Sequence, residues 1–187
     1  MTGDSLTVDR LGPAFSTYVD RLRSAWAVDD FPARGDACRR AMEALLASDD
    51  PAWAAAVDRV AGGEPKVELY RDPVLGFVQM AHQYRAGHGS PPHGHGDGGW
   101  VVYGVQRGEV EIATYRPSGG RPALAVDRSE VLRSGQARAY LPGELHSTRM
   151  VAGEGPAGTA VVLRLLSEDL SKLDRLRYEW QDVAARE

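Results

Sequence analysis

The stretch PPHGHGDGGW, residues 91–100, sets His93 and His95 one residue apart between a proline pair and a run of glycines. It leads directly into WVVYGVQRGEVEIATY (100–115), where two runs rich in valine, isoleucine and tyrosine flank Arg107-Gly108. That pattern reads as strand, tight turn, strand. On an extended strand, residues i and i+2 face the same side, so an H-x-H pair turns two imidazoles toward one point, the arrangement a metal needs. In a glycine-rich loop the same pair is equally a turn with two surface histidines.

A third histidine lies in a separate setting. In LPGELH (141–146), Gly143 sits three residues before His146, and the turn it makes delivers His146 to the start of a further strand. Together the three supply neutral nitrogen ligands of the kind that hold a transition metal.

Outward from these motifs, short strand-like runs continue from Val67 to Leu166: KVELY, GFVQMAHQY, ALAVDR, ARAYL and TAVVLRLL, with Gly, Pro, Ser and Asp at the turns between them. Many short strands at such spacing predict a mainly β sandwich or barrel. Before them the period changes. Phe15, Tyr18, Val19, Leu22 and Trp26 recur at three- and four-residue spacing, Pro51 suits a first helical turn, and Gly62-Gly63 a stop, so 1–64 reads as an N-terminal helical segment. After the strands, Ser167 is placed to cap a helix over 167–187, with Leu170, Leu173, Leu176, Trp180 and Val183 on its apolar face.

The 187 residues are 43% hydrophobic and 26% charged, with a net charge of −4, which suits one globular domain with flanking elements. No basic stripe is present to displace counterions from phosphates, which argues against a nucleic-acid partner and for a small ligand. The start, MTGDSLTVDR, has no apolar run of signal-peptide type, and no later run approaches bilayer length; the expectation is a cytoplasmic protein with no membrane partner. The single cysteine, Cys38, forms no internal disulfide and reads as a small buried helix residue. The flanking helices cover the barrel or make a homodimer contact, and their pattern does not choose.

HGH followed by GVQRGEVE, and LPGELH after it, resemble the two motifs of the cupin superfamily. RAGHGSPPHGHG (85–96) is similar, more narrowly, to the cysteine dioxygenase type of thiol dioxygenases, the match running over about 66–166. The resemblance implies a double-stranded β-helix (jelly-roll barrel) over 65–166. It further implies a non-haem ferrous ion, Fe(2+), on His93, His95 and His146, and oxidation of a small carboxylate-bearing thiol by dioxygen to its sulfinate. Where many cupins place a glutamate ligand this chain has Val101, which cannot ligate.

Arg71, in ELYRDP, aligns with the arginine by which cysteine-specific members grip the substrate carboxylate, and a guanidinium fork suits that task. Its alternative is a surface pairing with Asp72 or Glu68. The loop after His95 is longer than usual in the family, and Asp97 in it is a candidate ligand or acceptor. The family's serine, histidine and tyrosine on a late strand are absent. One register puts Val162, Arg164 and Leu166 there, the other Thr159, Val161 and Leu163. Arg164, if inward, would hold a carboxylate or phosphate; if outward, it is a solvent-facing charge. Tyr103, Tyr115 and Tyr140 are candidate replacements for the lost tyrosine or simply buried rings. His82 reads as a hydrogen-bonded wall residue, and His88 as a turn residue or a support for His93 or His95.

Overall fold

The computed structural model describes residues 8–63, 65–96, 98–120, 123–168 and 176–183. Three helices come first: α1 (Pro13–Trp26), α2 (Phe31–Leu46) and α3 (Pro51–Gly62). Each carries a proline in its first turn, where the missing N–H is not needed. Asp30 caps α2 by accepting from the Ala33 N–H. Asp50 accepts from Ala52 and Trp53 at the head of α3 and also from the Ala14 N–H, so one carboxylate fastens the starts of α1 and α3 together. No helix among the described residues is long and apolar enough to cross a membrane.

Nine strands follow: β1 (Lys66–Arg71), β2 (Val78–Tyr84), β3 (Gly89–His93), β4 (Val101–Arg107), β5 (Glu109–Pro117), β6 (Leu124–Arg133), β7 (Ala137–Tyr140), β8 (Leu145–Ala152) and β9 (Ala160–Leu166). They form two antiparallel sheets, ordered β1-β2-β9-β4-β7 and β3-β8-β5-β6. Apart from the β1–β2 and β5–β6 hairpins, successive strands pass from one sheet to the other, giving the mainly β barrel that the turn spacing predicts in the double-stranded β-helix form that the resemblance implies. The tight turn between β4 and β5 needs Gly108: its φ is +81°, and a Cβ there would press on the Ala152 carbonyl at 2.6 Å.

The helices lie on the outer face of the five-stranded sheet. Phe15, Leu22, Met42, Leu45 and Trp53 pack with Ala81, Val102, Leu163 and Leu165 into one core. The barrel interior is a second core, in which Val78, Met80, Val101, Val162 and Leu166 meet Val110 and Ile112 from the other sheet. Strands β2 and β9 are therefore buried along their full length, seven residues each.

The helix expected over 167–187 is absent from the described part of that segment, and Leu170 and Leu173 lie outside the described residues. Residues 176–183 instead form a strap along β3: the Gly94 N–H donates to the Leu176 carbonyl at 3.0 Å, and the Tyr178 N–H to the Pro92 carbonyl at 2.9 Å. Arg177 pairs across from His93, a short 3-10 turn spans Trp180–Asp182, and Val183 bridges to Leu124. Tyr178 and Val183 pack against a small apolar cluster of Ala113, Tyr115, Leu124 and Leu145. Covering the open β3 edge and that cluster outweighs the helical spacing of the leucines.

Candidate metal centre

The ligating atoms of His93, His95 and His146 all lie within 4.8 Å of one another. His93 ends β3 and His146 is the second residue of β8, and the two are direct partners in the antiparallel ladder. His95 lies past the end of β3, so the i, i+2 strand argument does not hold for it; the loop brings its ring to 5.3 Å from that of His93 and 5.1 Å from that of His146. Nδ1 of His93 is 2.9 Å from the Pro91 carbonyl and Nδ1 of His146 is 3.3 Å from the Glu144 carbonyl. Backbone acceptors thus fix two of the rings and leave their Nε2 atoms for the centre.

Nε2 of His95 and Nε2 of His146 are 3.3 Å apart. Two imidazole nitrogens at the usual bond length of about 2.0–2.1 Å from a common tetrahedral ion stand about 3.3–3.4 Å apart. Burial, then the neighbouring His93 and His95, hold His146 well below the ordinary imidazole range, so its ring stays neutral, as a ligand must be. The donor set fits a divalent transition metal. Val101 faces the barrel interior as an apolar core residue and adds no carboxylate.

Tyr103 stands in the same space. It is buried, its hydroxyl lies 3.2 Å from Nε2 of His146, and its ring packs edge-on to the Tyr140 ring. Beside it on the sheet is Arg164, its direct ladder partner from β9, whose guanidinium lies over the Tyr103 ring at 5.2 Å. The inward register of β9 is therefore Val162, Arg164, Leu166, while Val161, Leu163 and Leu165 face the helices. Arg164 is 8% exposed, and its Nε has no hydrogen-bond partner among the described residues. A buried N–H in that state carries a desolvation cost that no hydrogen bond offsets.

A cavity of about 300 Å³ opens in front of this group. Its walls are β3 from Ser90 to His93, the Arg164 side chain, and strap residues Arg177 to Glu179. The strap residues carry no signal of their own in the sequence, where the spacing of Leu176, Trp180 and Val183 predicts a helix.

Arg71 does not line the cavity. It lies at the end of the edge strand β1 and donates to both carboxylate oxygens of Glu68, at 3.1 and 2.8 Å, in an exposed pair. Tyr115 is on the outer face of the other sheet, its hydroxyl 2.7 Å from Ser147, and it shares the apolar cluster with the strap. Tyr140 stacks near His146, but its hydroxyl donates to Glu130 at 3.2 Å. His82 is buried on the interior face of β2, with Nε2 unpartnered among the described residues. His88 stacks on Tyr84 at 4.5 Å, away from the three histidines. Asp97 lies outside the described residues.

No family model matches the chain, and no curated protein matches it. Among solved structures, it is similar to an oxalate oxidase in complex with glycolate, at 20% identity and a TM-score of 0.41, over 55% of this chain and 46% of that one. A protein with a double-stranded beta-helix domain from Klebsiella pneumoniae matches at 16% identity and TM-score 0.45, over 66% and 88% of the two chains. A cupin 2 domain-containing protein from Halorhodospira halophila matches at 18% and 0.45, over 63% and 70%. The chain spans less than half the length of the oxalate oxidase it matches.

Proposed function

We propose that this protein is a metal-dependent oxygenase of small thiol acids, holding a ferrous ion on His93, His95 and His146 and converting the thiol to a sulfinate with dioxygen. Both oxygen atoms of one dioxygen end on sulfur, so no further reductant is required. The observation that carries the reading is a cavity bordered both by His93, one of the three converged histidines, and by the buried Arg164, whose Nε has no hydrogen-bond partner among the described residues.

A ferrous ion on three neutral imidazoles supplies a cationic centre with open positions for a soft thiolate and for oxygen. The chain's own groups do the rest. Arg164, rather than Arg71, meets the carboxylate and sets the distance from acid group to sulfur. Tyr103 presents a hydroxyl beside His146, where it holds or passes a proton during the reaction. The apolar Val162 and Leu166 on either side of Arg164 keep water from the acid end.

A second reading is a lyase or isomerase reaction at the same ion, or binding of a small acid without turnover. It is favoured by the loss of the serine, histidine and tyrosine that the resemblance would put on β9. Metal analysis of freshly purified protein, then oxygen uptake with 3-mercaptopropionate, cysteine and cysteamine, separates the readings. Uptake with a thiol acid, lost in His146→Ala, supports the oxygenase; bound metal without uptake for any thiol overturns it.

A further inference from the structure

We propose that Arg177 on the C-terminal strap joins Arg164 to form a two-guanidinium site at the open side of the metal centre, one that takes short carboxylic acids bearing no positive charge. The proposal rests on the acid-binding part of the reading above and not on the oxidation.

Three observations carry it. The strap pairs with β3 so that Arg177 stands directly opposite His93, and ladder partners share a face; Arg177 is therefore turned to the side on which His93 meets the other two histidines. Its neighbour Tyr178 also borders the cavity and packs against the apolar cluster with Tyr115 and Leu145, which anchors the strap. Arg164 and Arg177 then line the same cavity. Arg164 is more than nine-tenths buried with its Nε unpartnered, and Arg177 makes no ion pair with any described residue.

Among the described residues the one acid in the cavity wall is Glu179, whose backbone N–H donates to the Asp182 carboxylate at 2.8 Å. Among the described residues, a ligand entering this space thus meets two positive charges and one carboxylate. A carboxylate between the two forks gains charge-assisted hydrogen bonds from both sides. An ammonium placed next to that carboxylate would face like charges, the repulsive element that specificity requires. Arg177 is in this sense a specificity-determining residue, brought to the centre by chain folded outside the barrel.

The test uses sulfur-free probes, so that acid binding is separated from metal chemistry. Propionate and L-alanine, which differ by the α-ammonium, are titrated into chelator-treated and metal-loaded full-length protein and followed by NMR. Propionate is expected to bind both forms, and L-alanine about tenfold or more weakly. In Arg177→Met, an exposed position whose change leaves the fold intact, propionate affinity should fall about tenfold and the preference over L-alanine should shrink, while Arg177→Lys restores part of both. Unchanged propionate affinity in Arg177→Met, or L-alanine bound as tightly as propionate by the unaltered protein, overturns the proposal. Propionate binding that persists in a protein without metal or oxygen uptake would leave it standing while the oxygenase reading falls. Oxygen uptake that is indifferent to Arg177→Met would do the reverse.

Discussion

The Tyr103 hydroxyl lies 3.2 Å from the nitrogen of His146 that is itself 3.3 Å from His95. Strand β4 thus brings a proton-bearing group to the histidine cluster from the side opposite the β3 wall. Tyr103→Phe keeps the ring that packs on Tyr140 and under Arg164 but removes the oxygen. Metal content is expected to stay unchanged while turnover drops about 10- to 100-fold. Loss of metal in step with activity would assign the hydroxyl to holding the site instead.

Removing one of three ligands should empty the centre. His146→Ala is expected to lower bound metal, read by elemental analysis after dialysis, to about a tenth or less of the unaltered protein. His88→Ala, whose ring stacks on Tyr84 away from the cluster, should keep its metal. A His146→Ala protein with full metal content would end the assignment.

The two arginines are expected to part company. Arg71→Ala breaks an exposed pair with Glu68 and should leave KM for a thiol acid within about twofold and stability within about 0.5 kcal/mol. Arg164→Met, near in volume and able to pack on Tyr103, should raise KM about 100-fold or more through the lost charge-assisted hydrogen bonds. Equal KM values in both variants would return the anchor to Arg71.

Stability should depend on pH through His82. Burial, and then the charge of Arg164, push this ring down to about 2 from the ordinary 6.5. Below about pH 6.5 the unfolded chain takes up a proton that the folded chain refuses. Stability that is complete above that pH is therefore lost as the pH falls toward 2, by about 1.4 kcal/mol per pH unit from this ring. Asp72, held at about 2 against burial by hydrogen bonds from the Leu75 and Val74 N–H groups and from Arg23, adds its own loss only below its ordinary 3.8. In the window from about pH 6 to about 4.5, His82→Gln should lower the slope of urea-measured stability by about one proton in chelator-treated protein. Identical slopes would mean that the folded chain accepts the proton at His82.

Gly104 has no room for a side chain. A Cβ there would overlap the Met42 sulfur and lie 3.0 Å from Leu46, where α2 crosses β4. Gly104→Ala should destabilise by about 1–3 kcal/mol, seen as a lower urea midpoint with unchanged slope. A midpoint equal to that of the unaltered protein would show that α2 can lift off β4 without cost.

Much of this was open to reading in the chain. The three- and four-residue spacing of Phe15, Tyr18, Val19 and Leu22 marks α1, and all four are buried as expected. The separate settings of His93, His95 and His146 suffice to bring them together because two adjoining strands, β3 and β8, carry the outer pair. What could not be read has a physical reason in each case. Strand β9 is covered on both faces, so the alternation that normally separates inside from outside is missing, and nothing in TAVVLRLL says which way Arg164 points. Leu176, Trp180 and Val183 keep helical spacing, yet the segment pairs with β3, since an uncovered strand edge and an apolar cluster on another element are invisible to local periodicity. Arg71 had a carboxylate three residues away at Glu68, and the local partner took it.

Strand β9 has consequences for how this protein can change over time. Its seven residues have no solvent face, so nearly every position there is constrained by volume, and drift is confined to swaps among similar apolar side chains. The exposed middle of β6, around Asp127 to Ser129, is free of that constraint. On the proposed reading, the lone charge in so restrictive a strand is the position at which one substitution redirects ligand choice while the surrounding barrel stays as it is.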